Sequence, residues 1–187
     1  MKFRRFNRAE TARRVGSRVP LSLFLGVHDL DLMRWVSGRE AVEVAALKAL
    51  RRNEGVAAED SLACLIRFEG GTIGLYEACW ALPDNFPSGI DARFEVVGTK
   101  GTARVEALDQ GAAVVSEGAE LSLPDTLHWP EVHGRIAGDL RLEVEHFVRC
   151  VKGEEEPLVT VEDGLRAVEL ALAIERSAFE GGRPVPV

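Results

Sequence analysis

The chain has 187 residues, of which 46% are hydrophobic and 28% charged, a composition typical of a soluble globular domain that excludes overall disorder. Its net charge of −7 hides a basic segment, because residues 1–18 hold seven basic side chains and a single acidic one, Glu10. The acidic remainder would repel phosphate, and no apolar run approaches the roughly 18 residues of a membrane span. We therefore expect neither nucleic-acid binding nor membrane insertion.

The basic residues 1–18 precede the first apolar run of the chain. A targeting peptide would need an apolar centre, which this segment lacks. We interpret residues 1–18 as the remnant of an interdomain arm and residues 19–187 as one domain. The three cysteines, Cys64, Cys79 and Cys150, have neither CxxC nor zinc-type spacing, which predicts reduced thiols, a cytoplasmic protein and no metal site.

Residues 19–26 form a short apolar run that predicts a buried strand. A helix of about two to three turns follows, because Gly26 permits a sharp entry, the acidic residues Asp29 and Asp31 suit the positive end of a helix dipole, and Gly38 suits a left-handed cap. His28 and Asp31 are three residues apart and share one helical face, where a carboxylate can orient an imidazole. His28 is therefore a candidate for proton transfer, and the alternative is a half-buried histidine that caps the helix.

A strand over residues 40–50 and a hairpin with arms 60–68 and 72–81 come next. A two-residue turn at Gly70-Gly71 would place Cys64 opposite Glu77 and Cys79 opposite Leu62. Both faces of this hairpin are then apolar, while the chain has helices enough to cover about one. We expect the second face to form a homodimer, and its predicted contacts are Leu65, Tyr76, Ala78 and Trp80, with Trp80 as the anchor.

The segment from Gly98 to Thr102 has residue types found in phosphate loops, but the alternation that follows predicts a β-turn between two strands. The loop over residues 124–138 gathers His128, Trp129 and His133, which makes His133 a candidate substrate contact; the alternative is a surface connection. Two amphipathic helices close the chain, the first ended by Gly153 and the second begun by a capping box. We expect both apolar stripes to face the core; they comprise Leu140, Val144, Phe147, Val148 and Val151, then Leu165, Val168, Leu172 and Phe179.

These elements predict an α+β fold, in which an open, mostly antiparallel sheet has helices packed on one face. Four stretches also occur in the order found in one enzyme family: "GVHDLDLMRWVSG", "DSLACLIRFEGGTIGLYEACW", "FEVVGTKGTARVE" and "EVEHFVRCVKGEEEPLVTVEDGLRAVELALAIERSAFEGG". Together they resemble the C-terminal domain of the glucose-fructose oxidoreductase, inositol dehydrogenase and rhizopine-catabolism (Gfo/Idh/MocA) family. The opening "KFRRFNRA" resembles the segment that follows the nucleotide domain of that family.

This resemblance implies the substrate-binding and oligomerisation half of an NAD(P)-dependent oxidoreductase acting on a sugar, cyclitol or polyol. In the family, a Rossmann domain holds the nicotinamide, and its lysine works with a histidine and often an aspartate of the C-terminal domain. His28 matches that histidine and Asp31 is an implied substrate contact, whereas Phe24 stands where the aspartate would be. A phenylalanine cannot orient an imidazole, so the resemblance implies that His28 acts alone.

No GxGxxG motif follows a strand, so we expect this chain alone to bind no NAD(P) and to be inactive without a Rossmann domain. The sequence leaves open whether that domain is a separate polypeptide, was trimmed or was lost. A second reading also stays open, in which the chain is a stand-alone, non-catalytic binding or assembly protein with a vestigial site.

Overall fold

The structure, a computed structural model, describes residues 1–16, 18–50 and 59–187. Its helices are α1 (Ala9–Val15), α2 (Val27–Ser37), α3 (Asp139–Val151) and α4 (Val161–Phe179), with a π-helical segment at Ser22–Gly26. Its strands are β1 (Lys2–Arg8), β2 (Ala41–Ala49), β3 (Ser61–Phe68), β4 (Ile73–Leu82), β5 (Ile90–Gly98), β6 (Gly101–Glu106), β7 (Glu131–Val132), β8 (Arg135–Ile136) and β9 (Val185–Pro186). In this part of the chain, no helix combines the length and apolarity of a membrane span.

Seven strands form one open sheet in the order β6-β5-β1-β4-β3-β2-β9. Within it only β1 and β4 run parallel, and every other neighbouring pair is antiparallel. Helices α2 and α4 pack against each other, and α4 also packs on β2. The predicted α+β fold with an open, mostly antiparallel sheet is therefore confirmed.

From its charge we expected the basic N-terminal segment to be an arm outside the domain. The structure shows otherwise. Strand β1 lies inside the sheet, between β4 and β5. Its basic residues are accommodated because the two faces differ: Phe3 is buried towards the helices, while Arg4 reaches Asp91 of β5 on the opposite face. A boundary at residue 18 therefore divides the domain itself, although residue 17 lies outside the described residues.

The apolar run at residues 19–26 is helical, so the predicted buried strand is wrong. The backbone of Ser22–Gly26 forms a π-helical turn that continues directly into α2. An apolar run this short suits a strand and a helix equally well, and here the packing of this segment on α4 decides for the helix. The end of α2 agrees with the sequence, because Gly38 takes the left-handed conformation at its cap.

The β3–β4 hairpin has a three-residue turn, Glu69–Gly71, rather than the two-residue turn predicted. The N–H of Phe68 donates to the carbonyl of Thr72 at 2.9 Å, and Gly70 and Gly71 both have positive φ. Cys64 therefore lies opposite Tyr76 instead of Glu77, and Cys79 lies opposite Ser61 instead of Leu62. Because side chains alternate along a strand, this shift of one residue moves every β4 side chain to the other face.

The consequence is that Trp80 and Tyr76 belong to the core and cannot anchor a dimer. Both are fully buried, together with Ala78, on the face that the helices cover. Of the predicted contact residues, Leu65 alone lies on the open face, where it is 51% exposed. The prediction of Trp80 and Tyr76 as interface residues is therefore wrong.

The open face has two chemically different halves. Over β2, β3 and β4 it presents Leu47, Leu65, Ile73 and Leu75, together with Glu77 and one ion pair, Arg67–Glu43. Over β1, β5 and β6 it carries ion pairs that link neighbouring strands, which are Arg4–Asp91, Arg93–Glu106 and Arg104–Glu95. We call the first of these the apolar half of the open face.

The apolar stripes predicted for the last two helices do not face the core. Every stripe residue of α3 is exposed, and Phe147 is 67% exposed. In α4 the buried residues are Ala167, Leu170, Ala171, Ala173, Ile174 and Ser177, and all of them except Ala173 follow helical spacing on another side of the helix. Helix α4 is apolar on more than one side, and its small residues allow it to lie close to the sheet. The Thr160–Asp163 capping box of α4 is confirmed.

Candidate functional site

The region around the start of α2 is built on a buried ion pair. Asp29 is 4% exposed, and its carboxylate accepts hydrogen bonds from Arg5 Nε at 3.0 and 2.8 Å and from Arg5 Nη2 at 2.6 Å. Burial lowers the pKa of Arg5, but the hydrogen bonds and charge of Asp29 outweigh it and raise that pKa above its ordinary value. This charge-assisted pair fastens the first turn of α2 to the centre of the sheet.

His28 is exposed, one position before Asp29 in the first turn of α2. The expected partnership with Asp31 is not formed: Asp31 Oδ1 accepts a hydrogen bond from Arg34 Nη1 at 3.0 Å, and none joins it to His28 among the described residues. Helical spacing brings His28 and Asp31 near one face of α2. Arg34 is also three residues from Asp31, and its guanidinium is a stronger partner for the carboxylate than an imidazole. In the part of the chain that the structure describes, His28 therefore has no hydrogen-bond or ion-pair partner.

Arg34 fixes the other end of α2. Its guanidinium donates to both carboxylate oxygens of Glu40 at 2.8 and 2.7 Å and to the carbonyl of Asp163 at the start of α4. The hydrogen bond from Arg34 is the main cause that lowers the pKa of Glu40. Arg34 thus joins α2, the segment before β2, and α4, and it sets the orientation in which α2 presents His28.

Phe24 occupies the position at which the resemblance implies an aspartate. Its ring packs edge-on against Trp80, with ring centroids 5.7 Å apart. Nearby, burial raises the pKa of the Tyr76 phenol well above its ordinary value, and the negative charge of Asp29 raises it further. The Tyr76 phenol therefore stays protonated in the physiological range. Beneath the π-helical turn, the aromatic pair of Phe24 and Trp80 takes the place of the implied aspartate.

A cavity of about 250 Å³ lies on the helix side of β1 and β5. Its polar lining comes from Arg5, Ser88, Gln110, Asp125 and His128, which strand β1, the β4–β5 connection and the β6–β7 connection bring together. Because Arg5 also binds Asp29, this cavity adjoins the start of α2 where His28 lies. The two features together form the candidate site.

The loop residues of the cavity are held by local hydrogen bonds. Asp125 accepts from the backbone N–H groups of Leu127, His128 and Trp129 at 3.1, 2.8 and 2.6 Å. Burial raises the pKa of Asp125, but these hydrogen bonds outweigh it and lower that pKa. His128 Nδ1 lies 2.9 Å from Asp139 Oδ2 at the start of α3. Asp125 is thus a fixed carboxylate and His128 a fixed imidazole at the cavity.

His133 lies elsewhere, exposed at the turn between β7 and β8 with a φ of 52°. The structure brings His128 to the cavity and does not bring His133 there.

Sequence reasoning missed Arg5, Gln110 and Asp125 as site residues. Asp125 had a local signal, because an aspartate before a short polar turn commonly caps backbone N–H groups. Arg5 had none, since only the pairing of β1 places it beneath α2.

The glycine-containing turn at Gly98–Gly101 joins β5 to β6, so the predicted β-turn is confirmed. A strand follows it rather than a helix, and it presents no helix N-terminus to a phosphate. This turn therefore does not fit the role of a dinucleotide-binding loop.

Comparison with known proteins places the chain in a family. The profile described as "Oxidoreductase family, C-terminal alpha/beta domain" (GFO_IDH_MocA_C) matches residues 18–187. The scyllo-inositol 2-dehydrogenase (NAD(+)) of Bacillus subtilis is 31% identical over 163 residues, which are 85% of this chain and 45% of that protein. The myo-inositol dehydrogenase Hyg17 of Streptomyces leeuwenhoekii is 32% identical over 86% of this chain and 48% of its own.

Solved structures show the same fold. A scyllo-inositol dehydrogenase from Lactobacillus casei, with bound NAD(H) and scyllo-inositol, superposes with a TM-score of 0.70 at 23% identity over 99% of this chain and 56% of its own. GenD2 from gentamicin A biosynthesis, in complex with NAD, gives 0.75 at 22% identity over 100% of this chain and 55% of its own. The chain therefore spans about half the length of the relatives it matches.

Proposed function

This chain belongs to the oxidoreductase family as its C-terminal alpha/beta domain, and from that premise we propose that it is the substrate-binding and dimerisation half of an NAD(P)-dependent oxidoreductase. Its substrate is a sugar, cyclitol or related polyol. The observation that carries this proposal is the polar cavity beside His28, with Arg5, Asp125 and His128 in its lining. Two of the relatives are dehydrogenases of inositols, which are cyclitols.

The chemistry of the cavity suits hydroxyl groups. Each hydroxyl of a polyol needs both a donor and an acceptor when it leaves water. Gln110 offers its side-chain NH2 as a donor, because its Oε1 already accepts from the N–H groups of Thr126 and Leu127. Ser88 and His128 offer donors and acceptors, and Asp125 is a carboxylate that accepts only. Fixed side chains of this kind hold a hydroxyl-rich ring at low entropic cost.

His28 is the proposed acid-base group of this half. Its side chain is exposed in the first turn of α2, which Asp29 ties to Arg5 of the cavity lining, and we expect it to reach a substrate hydroxyl that loses its proton as the carbon gives up a hydride. NAD(P), which accepts the hydride, binds to a nucleotide-binding half outside this chain. Asp31, held by Arg34, is proposed as a second contact to the substrate.

Binding of a cyclitol to the isolated chain tests this proposal. In a nuclear magnetic resonance titration with myo-inositol, we expect amide shifts at Gln110, Asp125 and His128, and weaker binding in the His28→Ala variant. The matched control is His133→Ala, which removes another exposed histidine. We expect it to bind normally because His133 lies away from the cavity. Shifts confined to other surfaces would contradict the proposal.

The apolar half of the open face supports a homodimer. Leu47, Leu65, Ile73 and Leu75 are exposed on the face that the helices do not cover, beside the Arg67–Glu43 ion pair and Glu77. A stable interface buries about 1,200 Å² or more in total, and two-fold symmetry would set this surface against its own copy. Leu65, rather than Trp80 or Tyr76, is then the central contact.

A non-catalytic assembly protein is the second candidate function, and Phe24 favours it. The aromatic ring packs on Trp80 and removes the carboxylate that would assist His28. In that case the apolar half would still form a dimer, but the cavity would bind no cyclitol. The same titration separates the two candidates.

A further inference from the structure

An exposed apolar surface on α3 lies outside the candidate site. No residue of α3 is buried, and the apolar stripe of this helix continues onto the segment that leads into α4. Helix and segment line a groove of about 900 Å³, which Glu143, His146 and Cys150 also line. We call this surface the α3 groove, and its exposed apolar residues are Leu142, Val144, Phe147, Val148, Val151, Leu158, Val159 and Val161.

The α3 groove exposes as much apolar surface as one side of a stable protein interface buries. Its eight apolar side chains are 44–92% exposed. At the area that a buried Val, Leu or Phe side chain contributes, this corresponds to roughly 500 Å². A standard interface buries about 800 Å² on each partner, and somewhat more than half of that area is apolar. The surface therefore matches a partner protein.

Helix α3 lacks the packing that normally stabilises an amphipathic helix. It has 13 residues, and helices of about 12–15 residues are marginal in water unless their apolar face is packed. Its first turn is fixed, because the N–H groups of Asp139 and Leu140 donate to the carbonyls of Leu127 and His128 at 2.8 and 3.3 Å. Beyond that turn its apolar face is exposed. A partner on the α3 groove would therefore stabilise α3 itself.

The α3 groove begins at the cavity of the candidate site. Asp139, the first residue of α3, holds the imidazole of His128 at 2.9 Å, and His128 lines the cavity. Hydride transfer needs reacting atoms about 3–3.5 Å apart, so the nucleotide-binding half outside this chain has to cover the cavity. This chain matches 45% and 48% of the length of two inositol dehydrogenases, so each of these relatives has a further half of the size that such a surface requires.

We infer that the α3 groove is the docking surface for the nucleotide-binding half, an inference that rests on the proposed function. Docking buries the apolar side chains of the groove and stabilises α3. Through Asp139 it also fixes His128 at the edge of the cavity, so that docking and completion of the substrate site are coupled. The apolar half of the open face is a separate surface and stays available to a second copy of the chain.

Hydrogen–deuterium exchange tests this inference. It compares the 187-residue chain alone with its fusion to the N-terminal half of the Bacillus subtilis scyllo-inositol 2-dehydrogenase, the half that this chain does not match. In the fusion we expect the amides of α3 beyond its first turn to exchange at least about tenfold more slowly, and those of β4 to be unchanged. Equal exchange of α3 in both would overturn the inference. So would protection of α3 in the chain alone that grows with concentration, because a second copy would then occupy the groove.

Two phenylalanine variants of the fusion locate the docking surface. Phe147→Asp puts a charge into the α3 groove and should return the exchange of α3 to the rate seen in the chain alone. Phe179→Asp is the matched control, because this exposed residue lies at the end of α4, about 27 Å along the helix from Val161. It should keep α3 protected. Unchanged exchange of β4 verifies that each variant is folded, and protection of α3 that survives Phe147→Asp would contradict docking in the groove.

The measurement needs neither cyclitol nor NAD(P), so it separates the inference from the proposed function. Protection of α3 in a fusion that binds no myo-inositol would support the docking surface and contradict the proposed substrate class. Binding of myo-inositol without protection of α3 would support the substrate site and overturn the docking surface.

Discussion

Arg5 on β1 donates three hydrogen bonds to the carboxylate of Asp29 on α2, across 24 residues of chain. The pair lies beneath the helix that presents His28 and beside the cavity that forms the candidate site. A basic residue of the N-terminal strand and an acidic residue of the helix thereby hold strand, helix and cavity in one arrangement.

Removing the buried carboxylate should therefore destabilise the domain. Asp29→Ala leaves the largely buried guanidinium of Arg5 without its counter-charge, and we expect the free energy of unfolding in urea to fall by about 3 kcal/mol. The control is Glu145→Ala, which breaks the exposed pair with Arg141 and should cost about 0.5 kcal/mol or less. Equal losses in the two variants would contradict a structural role for the buried pair.

The close approach of α2 to the sheet depends on a glycine of β4. A Cβ at position 74 would lie 2.3 Å from Met33 Cε and 2.9 Å from Phe68 Cε2, so Gly74→Ala should lower the unfolding free energy by about 1–3 kcal/mol. Gly164→Ala is the matched control in α4, where a Cβ meets no atom within 4 Å. That variant should gain about 0.5–1 kcal/mol of stability. A Gly74→Ala variant as stable as the wild type would disprove the tight contact.

The proposed dimer predicts different outcomes for substitutions at Leu65 on β3 and at Trp80 on the neighbouring strand β4. Leu65→Glu puts a charge in the apolar half of the open face, so light scattering should give a mass near that of the 20.4 kDa chain, against twice that mass for the wild type. Val115→Glu, at another exposed apolar residue, should leave the dimer intact. Trp80→Glu should abolish folding instead, since it buries a charge in the core. A monomeric wild-type chain would refute the dimer.

Stability should depend on pH through Glu40. Hydrogen bonds from Arg34 lower its pKa in the folded chain below the unfolded value of about 4.3, so the charged form contributes stability above that pH. The contribution disappears as the pH falls through the folded pKa. Glu40→Gln should cost under about 1 kcal/mol at neutral pH, because the side chain is about half exposed. Urea unfolding at several pH values should show this difference shrinking with acidification, whereas a constant difference would contradict the assignment.

Catalysis requires a nucleotide-binding half, which a fusion to the N-terminal half of a related dehydrogenase can supply. If the fusion oxidises a cyclitol, His28→Ala should lower kcat by about a hundredfold or more, because the substrate hydroxyl loses its acid-base group. His133→Ala serves as the comparison and should change kcat little. An unchanged kcat in His28→Ala would assign His28 a structural role.

The sequence alone determined the fold class, the family resemblance and the elements that local rules control. The cap at Gly38, the capping box at Thr160 and the turn at Gly98–Gly101 depend on residues within a few positions, and all three are as predicted. Local backbone geometry fixes such features, so the local sequence contains the information.

Tertiary structure decided which face of each element is buried. One extra residue in the Glu69–Gly71 turn reverses the alternation of β4 and carries Trp80 and Tyr76 into the core. The insertion of β1 between β4 and β5 brings Arg5 to Asp29, and no local pattern specifies a pairing between strands so distant in sequence. The stripe of α3 shows that periodicity reveals an apolar face without revealing what covers it. Burial depends on long-range contacts, and these exist only once the whole sheet has formed.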